Sequence, residues 1–236
     1  MREKTFRFKK FEVLNDKTAM KVGTDGVLLG AWCDVAGAKR VLDVGTGCGL
    51  IALMVAQRNS SSTVLAIDID ADAVAEAEYN FKQSAWCDRL QASQQDYLMM
   101  GQEAGLFDLI VSNPPFFTNG IKPADEARMN SRHVAALPVG KLIDNAAKLL
   151  ATNGKFAFIY PADNDSLVEE CVTFSPLHIG RKVHVSTMAG AAPKRTLWEL
   201  VQGQTEMVQS TLVIEKEPRV FSEEYVNLTK DFYLKM

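Results

Sequence analysis

Asn113, Pro114, Pro115 and Phe116 follow directly on the apolar run of residues 107–112, and their types fit one kind of chemistry. Two consecutive prolines remove two backbone donors and fix two φ angles, so neither a helix nor a sheet ladder continues through them. What remains is a rigid segment that presents the Asn113 side-chain amide, the Pro114 carbonyl and the Phe116 ring. A primary amine on an aromatic ring is a poor nucleophile, because its lone pair is delocalised into the ring. Two acceptors on its hydrogens favour the pyramidal form and offset the positive charge that develops during attack. Asn113 and Pro114 can supply them, pre-organised by the prolines, while Phe116 offers a stacking face worth about 1–3 kcal/mol to a base. No metal or general base is required, since the product ammonium can lose its proton to water. The plain alternative is a rigid strand stop with Phe116 and Phe117 in the core.

A second constellation is Leu-Asp-Val-Gly-Thr-Gly-Cys-Gly at residues 42–49. Gly45 and Gly47 let the backbone approach a ligand closely, and Gly49 opens the following helix near its positive N-terminus. A single glycine turn is a weak signal, but Asp43 precedes the first glycine and Asp68 ends the next strand, about 20 residues on, where a carboxylate suits a ribose diol. The spacing is GxGxG, not the dinucleotide GxGxxG. An acid before the glycines suits a cofactor carrying an ammonium or sulfonium better than one carrying a pyrophosphate. Asp96, closing a third strand, can accept from an adenine amino group or can cap the next element.

The elements that must position these residues alternate along the chain. Residues 39–44, 62–68, 89–96, 107–112 and 155–160 read as strands, the third weak, polar and near a sheet edge, the fourth apolar on both faces as a central parallel strand should be. Helices are predicted after the glycine turn, after Asp68 with Asp70 or Asp72 near the N-cap, over 139–154 with Gly154 as C-cap, and over about 163–174. A β-rich part follows, interrupted by the loop 188–195. The rhythm predicts an α/β doubly wound sheet of seven strands, mostly parallel, with a late antiparallel strand. The absence of repeats and low-complexity linkers predicts a single domain over 1–236, with residues 1–21 as a basic extension.

That extension holds seven basic and three acidic residues, a local +4 within a chain of net charge −3. The overall charge argues against indiscriminate nucleic-acid binding. The basic opening, interleaved with Phe6, Phe8 and Phe11, reads either as a phosphate contact through Lys9 and Lys10 or as an edge hairpin with a solvated charged face. The connection from Phe117 to His133 is long for a doubly wound fold, which favours a substrate loop carrying Lys122, Arg128 and Arg132. Lys194 and Arg195 form a second basic pair, at a cleft wall or at a solvated hairpin tip. Four scattered cysteines without a CxxC pair indicate reduced thiols and no zinc site. With no membrane-length apolar run and no signal-like start, a cytoplasmic monomer is expected.

Taken in order, the glycine turn, Asp68, Asp96 and Asn-Pro-Pro-Phe resemble the motifs of class I S-adenosylmethionine-dependent methyltransferases of the amino-methylating kind, with a Rossmann-like fold. Residues 6–32 and 229–236 resemble the branch that methylates N6 of the adenine immediately 3′ of the anticodon (tRNA position 37) of a bacterial valine tRNA. The resemblance implies S-adenosylmethionine bound by Asp43, Gly45, Gly47, Asp68 and Asp96, with Thr24 and Asp25 close to the cofactor or target base. It implies that Asn113, Pro114 and Phe116 hold the target amine, with no metal and with tRNA as partner, whose phosphates Lys9, Lys10, Lys122, Arg128, Arg132, Lys194 and Arg195 are candidates to meet. Methylation of an rRNA guanine amine or a protein glutamine amide uses the same tetrapeptide logic. A nucleotide-binding oxidoreductase and a non-catalytic RNA-binding module are the alternatives of other classes.

Overall fold

The computed structural model describes residues 5–18, 20–115 and 137–236. Phe116, Phe117, Lys122, Arg128, Arg132 and His133 lie outside them. Its centre is β3 (Arg40–Val44), flanked on one side by β4 (Thr63–Asp68) and β5 (Leu90–Gln94) and on the other by β6 (Phe107–Ser112) and β7 (Leu150–Pro161). These five strands are parallel. β9 (Arg195–Gln202) then inserts antiparallel between β7 and β8 (Leu177–Met188). This seven-strand set is the one expected from the sequence. Two further strands extend its edge: β10 (Val208–Glu217), parallel to β8, and the short β11 (Val220–Phe221).

Helices cover both faces. On one lie α1 (Thr24–Trp32), α2 (Leu50–Arg58), α3 (Ala71–Lys82) and the C-terminal α6 (Glu223–Thr229); on the other lie α4 (Val139–Leu149) and α5 (Asp165–Thr173). Strand alternation divides β3 between the two cores, with Val41 in the first and Leu42 and Val44 in the second. Helices α1 and α2 touch closely because Gly30 has no side chain: a Cβ there would sit 2.7 Å from Met54 Sδ. The Arg58 guanidinium caps the end of α1 by donating to the carbonyls of Gly30 and Cys33.

One local expectation changes, and the hairpin offered as one reading of the basic opening is present. α4 ends at Leu149, and Gly154 is not its cap but part of the irregular start of β7, where a Cβ would meet the Ala151 and Phe107 carbonyl oxygens at 2.8 Å. The basic opening is a hairpin of β1 (Thr5–Arg7) and β2 (Glu12–Leu14), a separate two-stranded sheet. Phe8 and Phe11 are buried, Phe8 bridges Tyr233, and the Lys9 backbone amide donates to the Phe232 carbonyl. Its charges are partly used internally: Arg7 pairs with Glu12, Lys17 with Asp72, and the Lys9 ammonium donates to the Lys230 carbonyl. Among the described residues, no helix is long and apolar enough to cross a membrane.

Candidate active site

In an open α/β sheet, ligands bind beyond the carboxyl ends of the strands where the strand order reverses. Here that point lies between β3 and β6, whose last residues, Val44 and Ser112, are Cα partners. The glycine turn and Asn113 each begin one residue later, so the two sequence constellations share one crevice. The Ser112 hydroxyl donates to the Val44 carbonyl at 3.0 Å and ties the two exits together.

Gly45, Gly47 and Gly49 have φ of 68°, 55° and 82°, a left-handed backbone that side chains disfavour. Their surroundings differ. A Cβ on Gly49 would collide with Phe81 at 2.5 Å, so that glycine serves packing against α3. Around Gly45 and Gly47 a Cβ would meet nothing within 4 Å, so the backbone there faces open space. Asp68 braces the turn by accepting from the Gly47 amide at 2.9 Å and from the Asp70 amide at 3.0 Å. Asp70 in turn caps α3 by accepting from the Asp72 amide.

Asp43 is completely buried beneath the turn. Its Oδ2 accepts from Thr46 Oγ1 at 2.7 Å and from the Ala52 amide, in the first turn of α2, at 3.2 Å. Its Oδ1 is buried with no partner among the described residues. Burial pushes this carboxyl up to about 7, against the hydrogen bonds from Thr46 and Ala52, with the neighbouring Asp68 charge adding to the rise. Asp68 is raised as well, again chiefly by burial. Two raised carboxyls, one with an unused oxygen, beside bare glycine backbone, fit a positively charged ligand with a ribose. Asp96 lies two residues beyond β5 and caps the turn 97–99 through Oδ1, which accepts from the Leu98 amide at 2.9 Å. It therefore does take the capping role that the sequence left open.

Across the crevice, Asn113 is half-buried and Pro114 buried. Asn113 Nδ2 donates to Met20 Sδ at 3.3 Å, while its Oδ1 is buried and has no partner among the described residues. Thr24 and Asp25 open α1 at the same edge, and Asp25 Oδ2 accepts from Arg195 Nε at 2.8 Å. One RNA-wall candidate, Arg195, is thus ion-paired to a cofactor candidate, Asp25. Lys194 is held by its backbone, donating to Val185 and accepting from Ala162. Met20, Glu76 and Asn80 escaped the sequence reading, since neither a lone Met nor polar residues inside an Ala/Glu-rich helix stand out. Among the described residues no group of His, Cys, Asp or Glu is placed to hold a metal.

This fold and crevice define a class I methyltransferase dependent on S-adenosylmethionine. The model of the methyltransferase small domain family matches residues 21–167, and the chain belongs to that family. It is 46% identical over 98% of both chains to a protein of Phocaeicola vulgatus named tRNA1(Val) (adenine(37)-N6)-methyltransferase. A protein of the same name from Trichodesmium erythraeum is 44% identical, again over 98% of each. Among solved structures, a predicted O-methyltransferase from Agrobacterium tumefaciens superposes with a TM-score of 0.68 at 17% identity, covering 88% of this chain and 96% of that one. The last likeness concerns fold alone. Family membership sets aside the oxidoreductase reading.

Proposed function

We propose that the protein methylates the exocyclic N6 of an adenine in tRNA, the adenine immediately 3′ of the anticodon (position 37) of a valine tRNA, as a cytoplasmic monomer. The observation that carries this reading is the buried, unpartnered Asn113 Oδ1, which stands at the same sheet edge as the open glycine turn. A buried acceptor without a donor costs about 1–3 kcal/mol, and a target amine would satisfy it. The names of the two bacterial relatives favour adenine over a guanine amine or a glutamine amide.

The bound S-adenosylmethionine supplies the methyl group and a sulfonium leaving group. Asp43 and Asp68 would hold its cationic and ribose parts, with Gly45 and Gly47 giving backbone access. Asn113 Oδ1 and the Pro114 carbonyl would accept the two amine hydrogens, holding the nitrogen lone pair toward the crevice. The base must leave its stack to reach them, as in single-stranded loop recognition. Lys9, Lys10 and Lys194 would contribute phosphate contacts. The four cysteines are free thiols, which suits a reducing compartment.

Asn113→Ala tests this reading. Methylation should fall at least about 100-fold, as when a positioned transition-state hydrogen-bonding group is removed. Binding of S-adenosylhomocysteine should persist; a fully active Asn113→Ala enzyme would overturn the assignment.

A further inference from the structure

The segment between β2 and α1 is strapped across α3 by more polar contacts than a connector needs. Asn80 of α3 is buried, accepts from the Leu14 amide at 2.8 Å, and donates to the Leu14 and Cys48 carbonyls. Glu76, one turn earlier and also buried, accepts from the backbone amides of Asp16, Lys17 and Thr18. The Lys21 ammonium closes the same turn by donating to the carbonyls of Asn15, Asp16 and Thr18. The strap reaches Met20, whose sulfur stands 3.3 Å from Asn113 Nδ2.

An asparagine amide has two nearly isosteric orientations, and the partners of its ends decide between them. A thioether has no hydrogen to donate and only weakly accepts, so beside Met20 the amide end of Asn113 is preferred over the carbonyl end. That orientation leaves Oδ1 as the acceptor. The back of the same niche is α1, where Gly26 lies so near that a Cβ would come within 4.0 Å of Asn113 Nδ2 and 3.1 Å of Leu50 Cδ2.

We propose that Met20 is a positioning residue for methyl transfer: its sulfur accepts from the Asn113 amide and keeps Oδ1 turned toward the target amine. This rests on the amine-binding role of Asn113 proposed above. The strap thereby links the N-terminal hairpin to the reacting geometry, since Glu76 and Asn80 fix the path that delivers Met20.

Met20→Leu keeps the volume and removes the acceptor, whereas Met20→Gln restores one through its side-chain carbonyl. With saturating tRNA and cofactor, Met20→Leu should lower kcat about tenfold, the equivalent of about 1.4 kcal/mol. KM for tRNA and Kd for S-adenosylhomocysteine should stay within about twofold, the pattern of an interaction used only in the transition state. Nitrogen-15 NMR of the Asn113 side-chain amide should show its resonance shifted in Met20→Leu and returned toward its original position in Met20→Gln, together with most of kcat. An unchanged kcat in Met20→Leu would overturn the proposal. So would a rise in KM alone, or equal losses in both variants with the Asn113 resonance unmoved. An active Asn113→Ala enzyme would instead bring down the reading beneath it, and the Asn113 resonance keeps the two failures distinct.

Discussion

Replacing Asp43 by Asn separates the cost of a buried charge from the structural work of its hydrogen bonds. The folded carboxyl titrates near 7, against a reference of 3.8. Between those values the folded state binds the more protons, so this group makes stability fall as pH rises. One proton gives a slope of at most about 1.4 kcal/mol per pH unit, and the full window is worth at most about 4 kcal/mol. In Asp43→Asn the amide oxygen can keep the bonds from Thr46 and Ala52, while the amide nitrogen takes the place of the unpartnered Oδ1. Below its titration the parent carboxyl carries a buried O–H donor of its own, so the amide variant should match the parent within about 1 kcal/mol near pH 4. At pH 8 the parent has lost up to about 4 kcal/mol and the variant has lost none, so the variant should be the more stable by about 2–4 kcal/mol. Urea melts at several pH values without cofactor measure the divergence. Asp68, also raised, titrates in both proteins and largely drops out of the difference. Parallel pH profiles would refute the reasoning.

Gly47→Ala should weaken S-adenosylhomocysteine binding at least about tenfold while costing about 1–2 kcal/mol of stability, because a side chain disfavours the left-handed backbone and fills the open space beside it; calorimetry and urea melts give the two numbers. Lys10→Gln should weaken tRNA binding evenly across sequences and lower the slope of log K against log salt by about 1. Filter binding at several salt concentrations checks this, and an unchanged slope would confine the hairpin to a structural role.

Period and punctuation carried most of the fold. β3, β4 and β6 are short apolar runs ending at turn signals, and the Gly-rich and Pro-Pro exits mark the carboxyl edge that the sheet brings together. The end of α4 was not legible: Leu150 to Gly154 continue the helical pattern, but strand pairing of Leu150 with Phe107 wins over it. The edge strand β10 also escaped, since the exposed Gln209, Ser210 and Thr211 lack the burial signal of a strand and are held by pairing with β8. At the site, Asp43 and Asn113 stood out because glycine and proline follow them, and Asp68 because it ends the next strand. Glu76, Asn80 and Met20 did not, because their roles depend on backbone amides and a side chain brought in from some 60 to 90 residues away. Arg195 shows another limit: its carboxylate partner, Asp25, lies 170 residues away, and no local pattern pairs the two.

The central claim is that an adenine amine in tRNA receives the methyl group. Labelled methyl transfer into bulk undermodified tRNA and into protein, followed by nuclease digestion and mapping of the modified nucleotide, tests it most directly. The account predicts N6-methyladenosine immediately 3′ of the anticodon in a valine tRNA and no label in protein; label on a guanine amine or a protein glutamine would contradict it.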